Sequence, residues 1–95
     1  MCQISKQEKI DELYALLARL KNPEDFRALF DDLCTVKEIE NMAERIFSAR
    51  LLMEGKTYHQ IIELSDISSA TLSRVSRCVQ YGSGYSRFLK PDSDR

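Results

Sequence analysis

Histidine occurs once in these 95 residues, cysteine three times, glycine three times and proline twice. Cys2, Cys34 and Cys78 are an odd, scattered set with no C-x-x-C spacing, so neither a disulfide framework nor a zinc site is implied. They read as reduced thiols, with Cys34 and Cys78 largely packed. No apolar run approaches the roughly 18 residues of a membrane span. Met1-Cys-Gln-Ile-Ser5 lacks the basic start and apolar centre of a secretory leader, so the expected location is the cytoplasm. No stretch alternates in the manner of a half-buried strand, and no internal repeat is present. The expectation is an all-α protein.

Catalysis finds no foothold. His59 has no spaced cysteine or carboxylate cluster that would complete a triad or a metal site, and a surface or phosphate-contacting role suits it better. Gly82 and Gly84 are too sparse to form a phosphate-cradling loop. The pairs Asp11-Glu12, Glu24-Asp25 and Asp31-Asp32 sit beside helix starts or on polar faces, where solvation is all they require. The chain is read as a non-enzyme, without metal or cofactor.

What is present is a set of helices with explicit punctuation. Ser5-Lys-Gln-Glu8 is a capping box that opens a helix running to about Lys21, with Ile10, Leu13, Tyr14, Leu17 and Leu20 on one side and Leu16 widening the stripe. So broad a stripe in a single domain of 95 residues, 43% hydrophobic, points to a partner subunit. Asn22-Pro-Glu-Asp25 starts a second helix that buries Phe26, Leu29, Phe30 and Leu33. Thr35-Val-Lys-Glu38 is another capping box and opens the longest helix, which Gly55 ends; Ile39, Met42, Ile46, Ala49 and Met53 recur along it. Tyr81-Gly-Ser-Gly-Tyr85 reads as a flexible break, and residues from about 90 to 95 as a flexible tail.

Residues 57–78 hold two short helical patterns separated by a brief turn, a helix-turn-helix. Thr57 caps the first, whose expected buried side is Tyr58, Ile61, Ile62 and Leu64; Ser68 or Ser69 caps the second, which buries Leu72, Val75 and Val79. Asp66 is the expected left-handed residue of the turn, where glycine is usual. The opposite side of the second helix carries Ala70, Ser73, Arg74 and Arg77, with Thr71 at the flank. Short side chains backed by arginine suit a major groove, which demands close approach to base edges and anchorage on phosphate. Charge agrees with this orientation. Residues 1–44 carry six Lys/Arg against ten Asp/Glu, whereas residues 45–90 carry seven against three, so the hairpin lies in the half that attracts a polyanion.

Three segments in order, Leu33-Cys-Thr-Val-Lys-Glu-Ile-Glu-Asn-Met-Ala-Glu-Arg45, Leu51-Leu52-x-x-Gly55-x-Thr-Tyr58 and Ser69-Ala-Thr-Leu-Ser-Arg74-Val-x-Arg77, resemble the Trp repressor superfamily. With the ending Cys78-Val-Gln-Tyr-Gly-Ser-Gly-Tyr85, the likeness is to its bacterial YerC/YecD-type branch and covers roughly Asp25 to Tyr85. The resemblance implies an intertwined helical homodimer whose hairpins read successive major-groove faces of double-stranded DNA. It also implies that the arginines flanking tryptophan in the repressor correspond to Arg45 and Arg74, and the threonine beneath it to Thr35. Val75 and Cys78 depart, standing where the repressor has glycine and serine; valine fills space that an indole needs. Arg45 and Arg74 could instead pair with carboxylates such as Glu44 or Glu63, or Arg74 could meet phosphate. The expectation is a homodimeric, sequence-specific transcriptional regulator that does not respond to tryptophan, its effector unknown. Thr57, Tyr58 and His59 are expected near phosphates, Ser69, Ala70, Thr71 and Ser73 near base edges, and Arg74 and Arg77 beside the backbone. The alternative is a protein-interaction module that keeps the dimer and hairpin and docks a partner through Asp66, Ser69 and Arg77.

Overall fold

The computed structural model describes residues 3–89, and among them there is no strand. The helices in chain order are α1 (Lys6–Leu17), α2 (Pro23–Leu33), α3 (Val36–Met53), α4 (Tyr58–Leu64), α5 (Ser69–Tyr81) and α6 (Gly84–Leu89). Cys2 and the expected flexible tail lie outside the described residues. The chain divides into two compact units, Met1–Val36 and Lys37–Arg95.

In the first unit the capping box forms as its spacing requires: the Glu8 N–H donates to Ser5 Oγ at 3.1 Å and the Ser5 N–H to Glu8 Oε1 at 2.9 Å. α1 ends at Leu17 rather than near Lys21. The Arg19 and Leu20 N–H groups donate to the carbonyls three residues back, Leu16 and Leu17, so the last turn tightens. The tightening lets the chain extend to Asn22, which must leave the helical region before Pro23. Asn22 then caps α2 by accepting from the Asp25 N–H at 2.9 Å. Phe26 and Phe30 meet edge-to-face with ring centroids 6.2 Å apart. No residue of α1 or α2 is fully buried in the single chain; Ile10, Leu13, Tyr14 and Leu16 remain exposed, Tyr14 at 65%.

The second unit is built on α3. Gly55, at φ +93°, ends this helix in a left-handed residue, and the Lys56 and Gly55 N–H groups donate to the Leu51 and Leu52 carbonyls, each at 3.0 Å. Those two bonds satisfy carbonyls that a bare helix end leaves open. Thr57 immediately caps α4 in a capping box with Gln60. The core comprises Ala49 and Leu51 from α3, Ile61 from α4, Ile67 from the turn, and Leu72 and Val75 from α5. Leu52, Val79, Tyr85 and Leu89 pack around it.

Several expectations are corrected here. Of the apolar side expected on α4, only Ile61 is buried, in the core shared with α3 and α5; Tyr58, Ile62 and Leu64 lie outside that core and are exposed in the single chain. Asp66 is not left-handed, since no non-glycine residue among those described has positive φ. The turn leaves α4 through an extended Ser65 and enters α5 through an extended Ser68, so no left-handed residue is needed. The flexible break expected over 81–85 is confined to Gly82 and Ser83, and α6 follows. A Cβ on Gly82 would stand 2.7 Å from the Cys78 carbonyl oxygen, which explains glycine at that junction.

Two expected outcomes follow from these local arrangements. Hydrogen bonds from the Ser5 backbone and then its side chain hold the Glu8 carboxyl below its ordinary 4.5. A depressed folded value means the cap is intact above the ordinary pKa and is lost as pH falls through the folded one. NMR of the Ser5 amide in acid titration should show α1 fraying at its start, and Glu8→Gln should abolish that pH dependence while the acceptor remains. Ser48, in the C-terminal half of α3, is 0% exposed and its hydroxyl has no hydrogen-bond partner among the described residues. Ser48→Ala removes that cost and improves helix propensity, so the urea midpoint should rise, corresponding to about 1 kcal/mol.

Candidate nucleic-acid interface

α5 segregates its two faces cleanly. Leu72, Val75 and Ser76 are buried and Val79 is half-buried, at the spacing that makes one stripe on a helix. Ser69, Ala70, Ser73, Arg74 and Arg77 are exposed, and Thr71 is half-buried at the flank. The inward stripe fixes the rotation of α5 about its axis. Its outward face is therefore short at the N-terminal end and cationic further along.

The start of α5 is held by Ser68, which does more than cap the helix: it also engages the Thr71 side chain. Its hydroxyl oxygen accepts from the Thr71 N–H at 3.2 Å, while its own O–H donates to Thr71 Oγ1 at 3.0 Å. Gln80 donates to Ser76 Oγ at 3.3 Å, so the one hydroxyl within the buried stripe is satisfied.

α4 presents a different surface. Thr57 is committed to its own helix, with its N–H donating to Gln60 Oε1 at 2.9 Å and its hydroxyl accepting from the Gln60 N–H at 3.2 Å. Tyr58 and His59 are exposed. His59 Nε2 lies 3.3 Å from Glu63 Oε2 with both side chains mostly in solvent, an arrangement that contributes little to stability.

The carboxylates weighed as partners for the arginines are otherwise engaged. Glu63 faces His59, and Glu44 Oε1 accepts from the Asp66 N–H at 3.4 Å. Among the described residues neither Arg45 nor Arg74 forms an ion pair, and both are exposed. A cavity of about 480 Å³ is lined by Lys37, Glu40, Asn41, Glu44 and Arg45 of α3 and by Asp66, Ile67, Ser68 and Thr71 of the turn and α5. Of the positions weighed for a ligand, Arg45 lines it and Arg74 does not; Thr35 belongs to the other unit. Val75 is 2% exposed and lies in the apolar core, while Cys78 lines a separate cavity of about 370 Å³ with Gly82, Gly84, Tyr85 and Phe88. Within the second unit, Arg45, Val75 and Cys78 thus lie in different surroundings. No group of three His, Cys, Asp or Glu among the described residues could hold a metal ion, and no described helix is long and apolar enough to cross a membrane.

Comparisons with known proteins agree with this geometry. The family described as Trp repressor protein matches residues 8–92. An uncharacterized protein of Bacillus subtilis (strain 168), YerC, is 45% identical over 75 residues, which span 79% of this chain and 72% of that protein. A crystal structure of a candidate Trp repressor from Staphylococcus aureus matches with a TM-score of 0.80 at 40% identity, covering 85% of this chain and 82% of that one.

Proposed function

Since the chain belongs to the Trp repressor family, we propose that it is a homodimeric, cytoplasmic regulator of transcription that recognises a near-palindromic duplex site through α5. The observation that carries this reading is the pairing of a buried Leu72, Val75, Ser76 stripe with an exposed Ala70, Ser73, Arg74, Arg77 face on one helix. Ser69, Ala70, Thr71 and Ser73 approach base edges, where their small size permits contact. Arg74 and Arg77 lie beside phosphates, and Thr57, Tyr58 and His59 meet the backbone from α4. The absence of ion pairs at Arg45 and Arg74 among the described residues supports this role, because a guanidinium without an internal partner is free to meet an anion.

Dimerisation is supported by the apolar side chains that the single chain leaves in solvent. Ile10, Leu13, Tyr14 and Leu16 on α1, Phe26 and Leu33 on α2, and Ile46 and Phe47 on α3 are all exposed. A second copy that interlocks with these helices would cover them. Tryptophan is not the effector in this reading: Val75 belongs to the core and Cys78 faces a different cavity.

Changing Leu13 and Leu17 together to Glu should abolish folding along with association, as followed by circular dichroism and sedimentation, because interlocked chains have no stable free subunit. A folded monomer would overturn the interlocked arrangement. For DNA, a site selected from random duplexes should be titrated at two salt concentrations. Arg77→Ala should weaken binding to all sequences and lower the salt slope by about one per contact, whereas Thr71→Ala or Ser73→Ala should each cost about 1 to 3 kcal/mol on the selected site and little on random DNA. Added L-tryptophan should leave the curves unchanged. No enriched site, with weak and equal binding by all variants, would favour instead a module that docks a protein partner through Asp66, Ser69 and Arg77.

A further inference from the structure

The hairpin is attached to α3 at two different places. One is apolar: Ala49 and Leu51 of α3 share a core with Ile61, Ile67, Leu72 and Val75. The other is polar and lies nearer the start of α3, where Glu44 Oε1 accepts from the Asp66 N–H at 3.4 Å across 22 positions of sequence. The other side-chain hydrogen bonds around this hairpin link residues two to four positions apart and stiffen each helix end locally. Glu44 alone among them reaches between elements.

The mechanical consequence follows from the spacing. Glu44 and Ala49 are five residues apart on one helix, which separates the two attachments by about 7.5 Å along α3. A single apolar seat resists separation but permits rocking, since apolar contact is non-directional. A second, directional hold at a distance from the seat removes that freedom. The turn is itself stiff: the Ser65 hydroxyl donates to the Ile61 carbonyl at 2.9 Å and accepts from the Ile67 N–H at 3.4 Å, and Ser68 then caps α5. What holds Asp66 therefore holds the first turn of α5.

We propose that Glu44 is a positioning residue: its carboxylate latches the turn of the helix-turn-helix to α3, so the chain itself sets the angle of α5 without a bound effector. The latch lies on the rim of the 480 Å³ cavity, beside Arg45, Ser68 and Thr71, at the end of α5 that carries the short side chains. At 3.4 Å the bond is long, so its effect is expected in orientation more than in overall stability. The consequence for DNA rests on the function proposed above; the latch itself does not.

The test compares the full chain with Glu44→Gln, which keeps an acceptor oxygen but no charge, and Glu44→Ala, which keeps neither. Alanine is a good helix former, so α3 should persist in both, as far-UV circular dichroism would verify. Amide hydrogen exchange is read at Asp66. Protection should fall by about tenfold in Glu44→Ala and stay near wild type in Glu44→Gln. On a selected duplex, Glu44→Ala should bind about tenfold more weakly than Glu44→Gln, while the two bind random duplex equally. If Glu44 only repels phosphate, both variants gain affinity alike and exchange at Asp66 is the same in both, which overturns the latch. If the exchange result holds but wild type prefers no sequence, the latch stands and the DNA reading falls.

Discussion

The second unit depends on one apolar contact, in which Ala49 and Leu51 of α3 receive Ile61, Ile67, Leu72 and Val75. It is a small contact. Each large side chain withdrawn from water contributes roughly 1.5 to 3 kcal/mol, and against that stands the entropy of ordering every residue of the hairpin. So few buried side chains leave little surplus. The dense capping follows from this shortage: α4 and α5 both begin with a hydroxyl that accepts from the third helical N–H, and α3 ends in two carbonyl-satisfying bonds. Backbone groups satisfied locally compensate for a core that cannot hold the helices by area alone.

The same shortage explains the first unit. α1 and α2 carry capping devices as complete as those of the hairpin, yet bury no residue within the chain. Local signals specify where these helices start and stop, while the apolar stripe on each remains without cover. Capping is satisfied by a segment and burial by an assembly. The split between acidic and basic halves adds direction, because the half that holds the hairpin is the one that attracts a polyanion.

Helix starts were legible because caps are short-range chemistry written within four residues: Ser5 with Glu8, Asn22 with Asp25, Thr57 with Gln60 and Ser68 with Thr71. The face of α5 was legible because Leu72, Val75 and Val79 repeat with the period of the helix. On α4 the apolar pattern overstates the buried side, since Tyr58, Ile62 and Leu64 share the composition of a core without sharing its position; only Ile61 meets it. α6 escaped because two glycines resemble a flexible joint, although only Gly82 is pressed against a carbonyl. The role of Glu44 was invisible for a different reason. Its partner is a backbone N–H 22 residues away, and a backbone donor has no sequence signature.

Between the left-handed Gly55 that closes α3 and the Thr57 that opens α4 stands Lys56 alone. Two termination chemistries are set back to back, and Lys56 serves both, donating its N–H to Leu51 while preceding the cap. There is no spare link at this joint. One residue inserted here would part the two terminations and shift the start of α4 against α3, away from the seat of Ile61. The joint can therefore vary in side-chain identity while its length stays fixed, which makes this corner of the chain a gauge block against which the spacing of all that follows is measured.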